Sequence, residues 1–407
     1  FPAEEGQSPV LDLGLNARSA SRRDSAMDFT VLAHEWGHTL VGRLAGGTAD
    51  IDALGNLQGQ ALHEAIADFV GVLVNVSGVD ALGAFTIGSY SNLDYIERRP
   101  TLPPAEAPAD AMYYGIRRYP YSLDLRKNPL TFRHLAQPPP ADQPYYNWKG
   151  RGPLLSEPHT TGEVFTEALF QCFGNIVVAH PGLDFEALRA RMAEYLVAGL
   201  AAFPDHPSLL DARNAFLAVI RLANPGDDYP ACRAGFAARG MGADALGPDR
   251  EFGAGMTNEL PPYDPAQVVE SVLDRDRALR VIASTFVSDA VDPSRATIRV
   301  EARNTGLVDL ETVLLTVTAG VPGAAAFPDS AVIDQGRQPP EHPTAATIAV
   351  VVNACLLPPH PSQAGFRLFD YTVRASAPGP APDGVSHELI FHAAIPEPVA
   401  PCVAAAP

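Results

Sequence analysis

The sequence predicts a multidomain fold: a mainly α-helical lobe over residues 1–257, a linker at 258–269, and an all-β sandwich of immunoglobulin or fibronectin-III type over 270–407. Two observations carry this reading. Up to about residue 257 the apolar residues fall in long runs of helical length. After NELPPYDPAQ (258–267) they alternate with period two, in short runs set off by turn residues.

Taken in order, MDFTVLAHEWGHTLVGRL (27–44) is the first long helix, with Asp28 placed near its start. ALHEAIADFVGVLVNV (61–76) is the second, after the Gly-rich turn GNLQGQ. Residues 99–158 are rich in Pro and Tyr and read as a long ordered loop region. TTGEVFTEALFQCF (160–173) opens with Thr160-x-x-Glu163, the pattern of a capping box, in which each side chain satisfies an orphan backbone N–H. DFEALRARMAEYLVAGLAAF (184–203), PSLLDARNAFLAVIRLA (207–223) and CRAGFAARG (232–240) complete the helical set. In ATIRVEAR the residues Ile298, Val300 and Ala302 share one face, and Thr297, Arg299, Glu301 and Arg303 the other. TVLLTVT (312–318), ATIAVVV (346–352), FRLFDYTVRA (366–375) and SHELIFHAA (386–394) repeat the alternation, separated by turns such as RNTG and PDG. About seven short strands in about 140 residues is the density of a sandwich. The tail PEPVAPCVAAAP reads as irregular.

At 407 residues the chain can bury a large core. Its net charge of -18 argues against non-specific binding to nucleic acid or anionic membranes. Self-repulsion of that size favours a soluble monomer. No apolar run reaches the roughly 20 residues needed to cross a bilayer. The chain opens FPAEEG, with neither Met nor a charged-then-apolar leader, as expected of a processed product or a truncated start. Of four cysteines, Cys355 and Cys402 share the C-terminal third and are expected to pair. Cys172 and Cys232 lie in two apolar helical stretches and read at least as well as buried free thiols.

The chemistry concentrates in VLAHEWGHTL (31–40). On a helix, residues four apart share a face, so His34 and His38 can point at one ion, and zinc accepts imidazole nitrogen at about 2.0–2.1 Å. Glu35 lies beside the ligands, where it can take a proton from an activated water. A catalytic zinc needs a third protein ligand and an open fourth position. Glu64, 26 residues after His38 on the next apolar helix, supplies the candidate. Asp68, one turn on, can accept the remaining ring N–H of a ligand histidine and fix its tautomer. The bland alternative for Glu64 and Asp68 is a solvated helix face. Their apolar neighbours Ala65, Ile66, Ala67, Phe69 and Val70 weigh against it, because unpaired carboxylates are costly in such surroundings. His63 rivals Glu64 but points about 100° away on the helix, so both cannot face one ion. Glu64 is preferred because it has Asp68 at i+4, which leaves His63 as a local hydrogen-bonding histidine.

HEWGHTLVGRLAGG followed by a Glu-x-x-x-Asp helix resembles the fungalysin-type zinc metallopeptidases, relatives of the thermolysin group. The resemblance extends through GIRRYPYSLDLRKNPLTF (115–132), HTTGEVFTEALF (159–170), PSLLDARNAFLAVI and FAARGMGADA, and covers about residues 24–245. It implies a thermolysin-like lobe and a secreted endopeptidase acting on proteins or peptides, with Zn2+ on His34, His38 and Glu64 and Glu35 as general base. It also implies that His159 stabilises the oxyanion. Placed just before an expected helix N-terminus, His159 has a position that favours an anion independently. Tyr113, Tyr114 and Arg118 are candidate substrate or oxyanion contacts, equally readable as loop packing. Nothing in the sequence supports a Ca2+ site. Two departures stand out. HEAIADF replaces the GEGWSDF usual in fungalysins. Only 33 residues precede His34, where the family carries a β-rich N-terminal lobe, so a truncated lobe is expected, with PVLDLGL (9–15) as its substrate-binding edge strand. The alternative functions are a catalytically incomplete fragment or surface-binding protein on a metallopeptidase scaffold, distinguished by zinc stoichiometry, and an aminopeptidase, distinguished by comparing blocked with free peptides. The β part, with His387 and His392 flanking a strand, carries no catalytic constellation and reads as a docking or stabilising module.

Overall fold

The computed structural model of the chain describes residues 10–15, 22–45, 53–91, 112–137, 157–250, 263–341, 343–379 and 384–398. The chain divides into two compact units, Phe1–Asp274 and Arg275–Pro407.

In the first unit every long helix but α6 (Asp228–Ala238) starts where a side-chain oxygen satisfies an orphan N–H. Asp28 caps α1 (Phe29–Leu44) by accepting from Thr30 N, and Asn56 caps α2 (Leu57–Asn75) by accepting from Gly59 N. α3 (Pro158–Ala179) begins with Pro at its first position, where the ring costs no hydrogen bond, and Glu157 accepts from Thr160 N. Thr160 and Glu163 therefore do not form the expected capping box. The proline and Glu157 move the cap three residues earlier, and the Glu163 carboxylate accepts from Arg118 instead. α4 (Phe185–Ala201) is capped by Asp184, and α5 (Leu209–Ala223) by a reciprocal Ser208–Asp211 box. α6 (Asp228–Ala238) closes the set.

α3 is buried on nearly every face and packs against α2 and α6. Cys172 of α3 and Cys232 of α6 form a disulfide, which overturns the reading of two free thiols. Cys355 is disulfide-bonded as well; Cys402, its expected partner, lies outside the described residues. Residues 269–273 bridge back to 241–246 and belong with this unit. The edge strand expected over 9–15 is not formed where it is described. Residues 10–15 carry a single bridge, Leu15 to Asp24, and no ladder.

The second unit is two four-stranded antiparallel sheets. One runs β1 (Arg280–Ser288), β2 (Arg295–Arg303), β6 (Pro343–Val352), β4 (Ala325–Ala326). The other runs β5 (Val332–Asp334), β3 (Leu314–Ala319), β7 (Phe366–Ala377), β8 (Val385–Pro396). The alternation in β2 works as expected: Ile298, Val300 and Ala302 are buried while Thr297 and Arg299 face solvent. Their partners Ile348 and Ala346 on β6, with Leu315 and Val317 on β3 and Tyr371 and Val373 on β7, form one apolar core between the sheets.

Candidate metal centre

Packing decides which groups meet. α1 approaches α2 so closely that a Cβ on Gly37 would stand 2.8 Å from the Cα of Ala67, and one on Gly162 of α3 would stand 2.8 Å from the carbonyl oxygen of Ala61. A side chain at either position would push the helices apart. With glycine there, the His34 and His38 rings reach the carboxylates of α2. Their Nε2 atoms lie 3.1 Å apart, and Glu64 Oε2 lies 3.4 Å from the first and 3.7 Å from the second.

These distances fit a metal. Four ligands about 2.0–2.1 Å from a zinc ion stand about 3.3 Å from one another in a tetrahedron. Glu64 Oε2 is buried and has no hydrogen-bond partner among the described residues, although a buried carboxylate oxygen normally needs one. His34, His38 and Glu64 are the group among the described residues whose ligand atoms converge in this way. Two neutral imidazoles and a carboxylate are a donor set suited to zinc.

The far sides of the rings are held just as firmly. His34 Nδ1 lies 2.7 Å from Asp68 Oδ1. Asp68 also accepts from Arg117 Nε and Nη2, at 2.5 and 2.6 Å, and from the Tyr121 hydroxyl. Burial alone would raise the Asp68 pKa, but Arg117 and then His34 hold it well below the usual carboxylate range. Asp68 therefore remains an obligate acceptor, which keeps the proton of neutral His34 on Nδ1 and leaves Nε2 bare for a metal. His38 Nδ1 lies 2.6 Å from His63 Nδ1, so His63 is the local hydrogen-bonding histidine the sequence suggests, and its partner is a candidate ligand.

In the metal-free chain, burial disfavours a proton on His34, yet Asp68 and Glu64 raise its pKa to about 9. His38 is pushed down to about 3 by burial and then by His34. Burial would raise the Glu64 pKa, but His34, His159 and His38 hold it down at about 2. The pair of imidazoles therefore carries at most one proton beyond its neutral state in front of an ionised carboxylate, and a divalent cation would displace that proton.

A cavity of about 200 Å³ opens beside these groups, lined by Val31, Glu35, Ile116, Arg118, His159 and Glu163 among others. His159 lies in the first turn of α3 rather than just before it. Its Nδ1 is paired with Glu157, and its Nε2 stands 3.3 Å from Glu64 Oε2. Arg118 is fully buried. Its Nε is 2.9 Å from Glu163 Oε2, its Nη2 reaches the Thr160 carbonyl, and its Nη1 has no hydrogen-bond partner among the described residues. Tyr113 and Tyr114 are not among the residues lining the cavity. They stack edge to face on each other, and the Tyr113 carbonyl accepts from Thr86.

The structure thus gathers His34, Glu35, His38, Glu64, Asp68, His159 and Arg118 and leaves the two tyrosines aside. It adds groups that the sequence reading passed over: Arg117 and Tyr121 on Asp68, Glu157 on His159 and Glu163 on Arg118. The one available signal was the alternation in RRYPYS, which sends Arg117 and Arg118 to different carboxylates.

A model of the fungalysin metallopeptidase family (M36) matches residues 2–245. Among similar proteins, the extracellular metalloproteinase MEP of Fusarium vanettenii is 27% identical over 255 residues, 59% of this chain and 34% of that protein. The extracellular metalloproteinase mep of Aspergillus terreus is 27% identical over 235 residues, 55% and 31%. Extracellular metalloproteinase 2 of Phaeosphaeria nodorum is 24% identical over 252 residues, 59% and 34%. The chain spans about a third of the length of these relatives.

Proposed function

Because the chain belongs to the fungalysin metallopeptidases, we propose that it is a secreted zinc endopeptidase whose active site is the cleft between α1, residues 116–118 and the start of α3, beside Glu64 of α2. The observation that carries this is the convergence of His34 Nε2, His38 Nε2 and Glu64 Oε2 on one point. Zinc held there supplies Lewis acidity, which lowers the pKa of a water and polarises a carbonyl. Glu35, on the cavity wall one residue from a ligand, takes the proton from the attacking water and delivers it to the departing amine. His159, oriented by Glu157, donates from Nε2 to the oxyanion. Arg118 turns its unpartnered Nη1 to a substrate carbonyl, with Glu163 holding the guanidinium in place. Asp68, anchored by Arg117 and Tyr121, keeps His34 in the binding tautomer.

Two further points belong to this reading. The extracellular names of the relatives, and the lack of any described helix long and apolar enough to cross a membrane, support secretion. The pairings β1-β2-β6 and β3-β7-β8 support an immunoglobulin or fibronectin-III-like accessory module, since they match the A-B-E and C-F-G ladders of such sandwiches. The unit Phe1–Asp274 would then be the catalytic region and Arg275–Pro407 the accessory one, which moves the expected start of the accessory module from 270 to 275.

The test is Glu35→Gln. The variant should bind one zinc per chain, as the parent does, and lose casein cleavage by at least about a hundredfold, the lower end of what a general base contributes. Cleavage at the parental rate would show that Glu35 is not the base.

A further inference from the structure

The two histidine ligands are not supported alike. His34 leans on a carboxylate that can only accept. His38 leans on His63, a neutral ring that can accept or donate. The Nδ1–Nδ1 distance of 2.6 Å allows one proton between these atoms, and which ring owns it decides what His38 can bind. If His38 donates from Nδ1, its Nε2 is bare and faces Glu64 and His34. If His63 donates, the proton of neutral His38 sits on Nε2 and blocks the point where the three ligand atoms converge.

We propose that His63 is a positioning residue that fixes His38 in its metal-binding tautomer, by accepting the Nδ1 proton of His38 on its own Nδ1. The proposal rests on the metal-centre reading above and deepens it. Adjacent residues on α2 then have divided tasks. Glu64 points at the metal position, while His63, about 100° round the helix, points at the back of the ring that shares the ion. Asp68, one turn on, does for His34 what His63 does for His38. A single helix would set the tautomer of both imidazoles and supply the third ligand.

The requirement on residue 63 is a lone pair at the δ1 position, and asparagine satisfies it. Its Oδ1 is bonded at the same place in the side chain as the histidine Nδ1, whereas the Cδ1 of leucine fills that place without accepting. In the full chain, zinc affinity measured by chelator competition should fall about 10- to 100-fold in His63→Leu. In His63→Asn it should stay within about threefold of the parent, because the acceptor is kept. If the leucine variant does not fold, as judged by metal-free thermal melts, His63→Ala takes its place. Imidazole 15N shifts of the zinc-loaded parent should show His63 protonated at Nε2 and bare at Nδ1. A side chain that merely packs would not produce the Leu–Asn difference or select that tautomer.

Parental affinity in His63→Leu, or an asparagine variant as weak as the leucine one, overturns the proposal and leaves the metal centre standing. So does a proton found on His63 Nδ1. A parental chain that takes up no stoichiometric zinc overturns the metal reading itself, and His63's role falls with it.

Discussion

Replacing Asp68 with asparagine tests whether the metal centre rests on a buried charge pair. Asp68 and Arg117 are 2% and 5% exposed, and their two hydrogen bonds are 2.6 Å or shorter. Asparagine keeps the shape, so His34 still finds an acceptor, but the guanidinium is left buried without its counter-charge. Breaking such a pair from one side costs about 3–5 kcal/mol. With m of about 3 kcal/mol/M in urea, the midpoint should fall by about 1–1.7 M. Trp36 lies on α1, so its fluorescence follows the first unit. EDTA keeps metal affinity out of the measurement. Arg117→Met should cost a similar amount, because it strands the carboxylate. The double variant should recover about 2 kcal/mol or more of the summed loss, since neither charge then lacks a partner. A midpoint shift under about 0.3 M in Asp68→Asn, or losses that simply add in the double variant, would refute the account of Asp68 and Arg117 as one coupled unit.

Gly37→Ala should cost about 1–3 kcal/mol, because its Cβ would meet the backbone of Ala67 at 2.8 Å. It should also weaken zinc binding by moving α1 off α2, which thermal melts and a zinc titration would show together. Replacing Cys172 and Cys232 by serine releases a cross-link spanning 60 residues, worth about 4 kcal/mol by loop-closure entropy, and should lower the urea midpoint of the first unit. Asp211→Asn should destabilise by about 1–2 kcal/mol at pH 7 through loss of the Ser208 box and the Arg250 pair. Burial would raise the Asp211 pKa, but Arg250 and Ser208 hold it below the usual range. The stabilisation is therefore present above the unfolded pKa of about 4 and lost as pH falls through the folded value, so the gap between parent and variant should close on going from pH 7 toward pH 3.

Sequence periodicity reveals faces but not what meets them. His34 and His38 can be read because four residues make about one helical turn, and Ile298, Val300 and Ala302 because two residues make one pleat. RVIASTFVS (280–288) is harder to read as a strand, because β1 shifts register between Val281 and Ala283 and breaks its own alternation. Thr160-x-x-Glu163 has the composition of a capping box, yet one proline two residues earlier moves the helix start and frees Glu163 for Arg118. Cys172 and Cys232 are each legible as buried, but their pairing depends on how α3 and α6 pack, which no local pattern specifies.

The same reasoning explains why Glu64 and Asp68 could be read while their supports could not. An ionised carboxylate in an apolar helix costs several kcal/mol unless cations, donors or a metal surround it. The apolar neighbours of Glu64 and Asp68 therefore require that partners exist, without naming them. The partners come from distant segments: His34 on α1, Arg117 and Tyr121 from the loop region before α3, and His159 from the start of α3. Asp68 finds protein groups for both of its oxygens. Glu64 Oε2 makes no hydrogen bond among the described residues, although three imidazole nitrogens stand 3.3–3.7 Å from it. Between two carboxylates four residues apart on one helix, that difference separates the one suited to support a ligand from the one suited to be a ligand. It depends on the completeness of each oxygen's shell, which only the folded chain reveals.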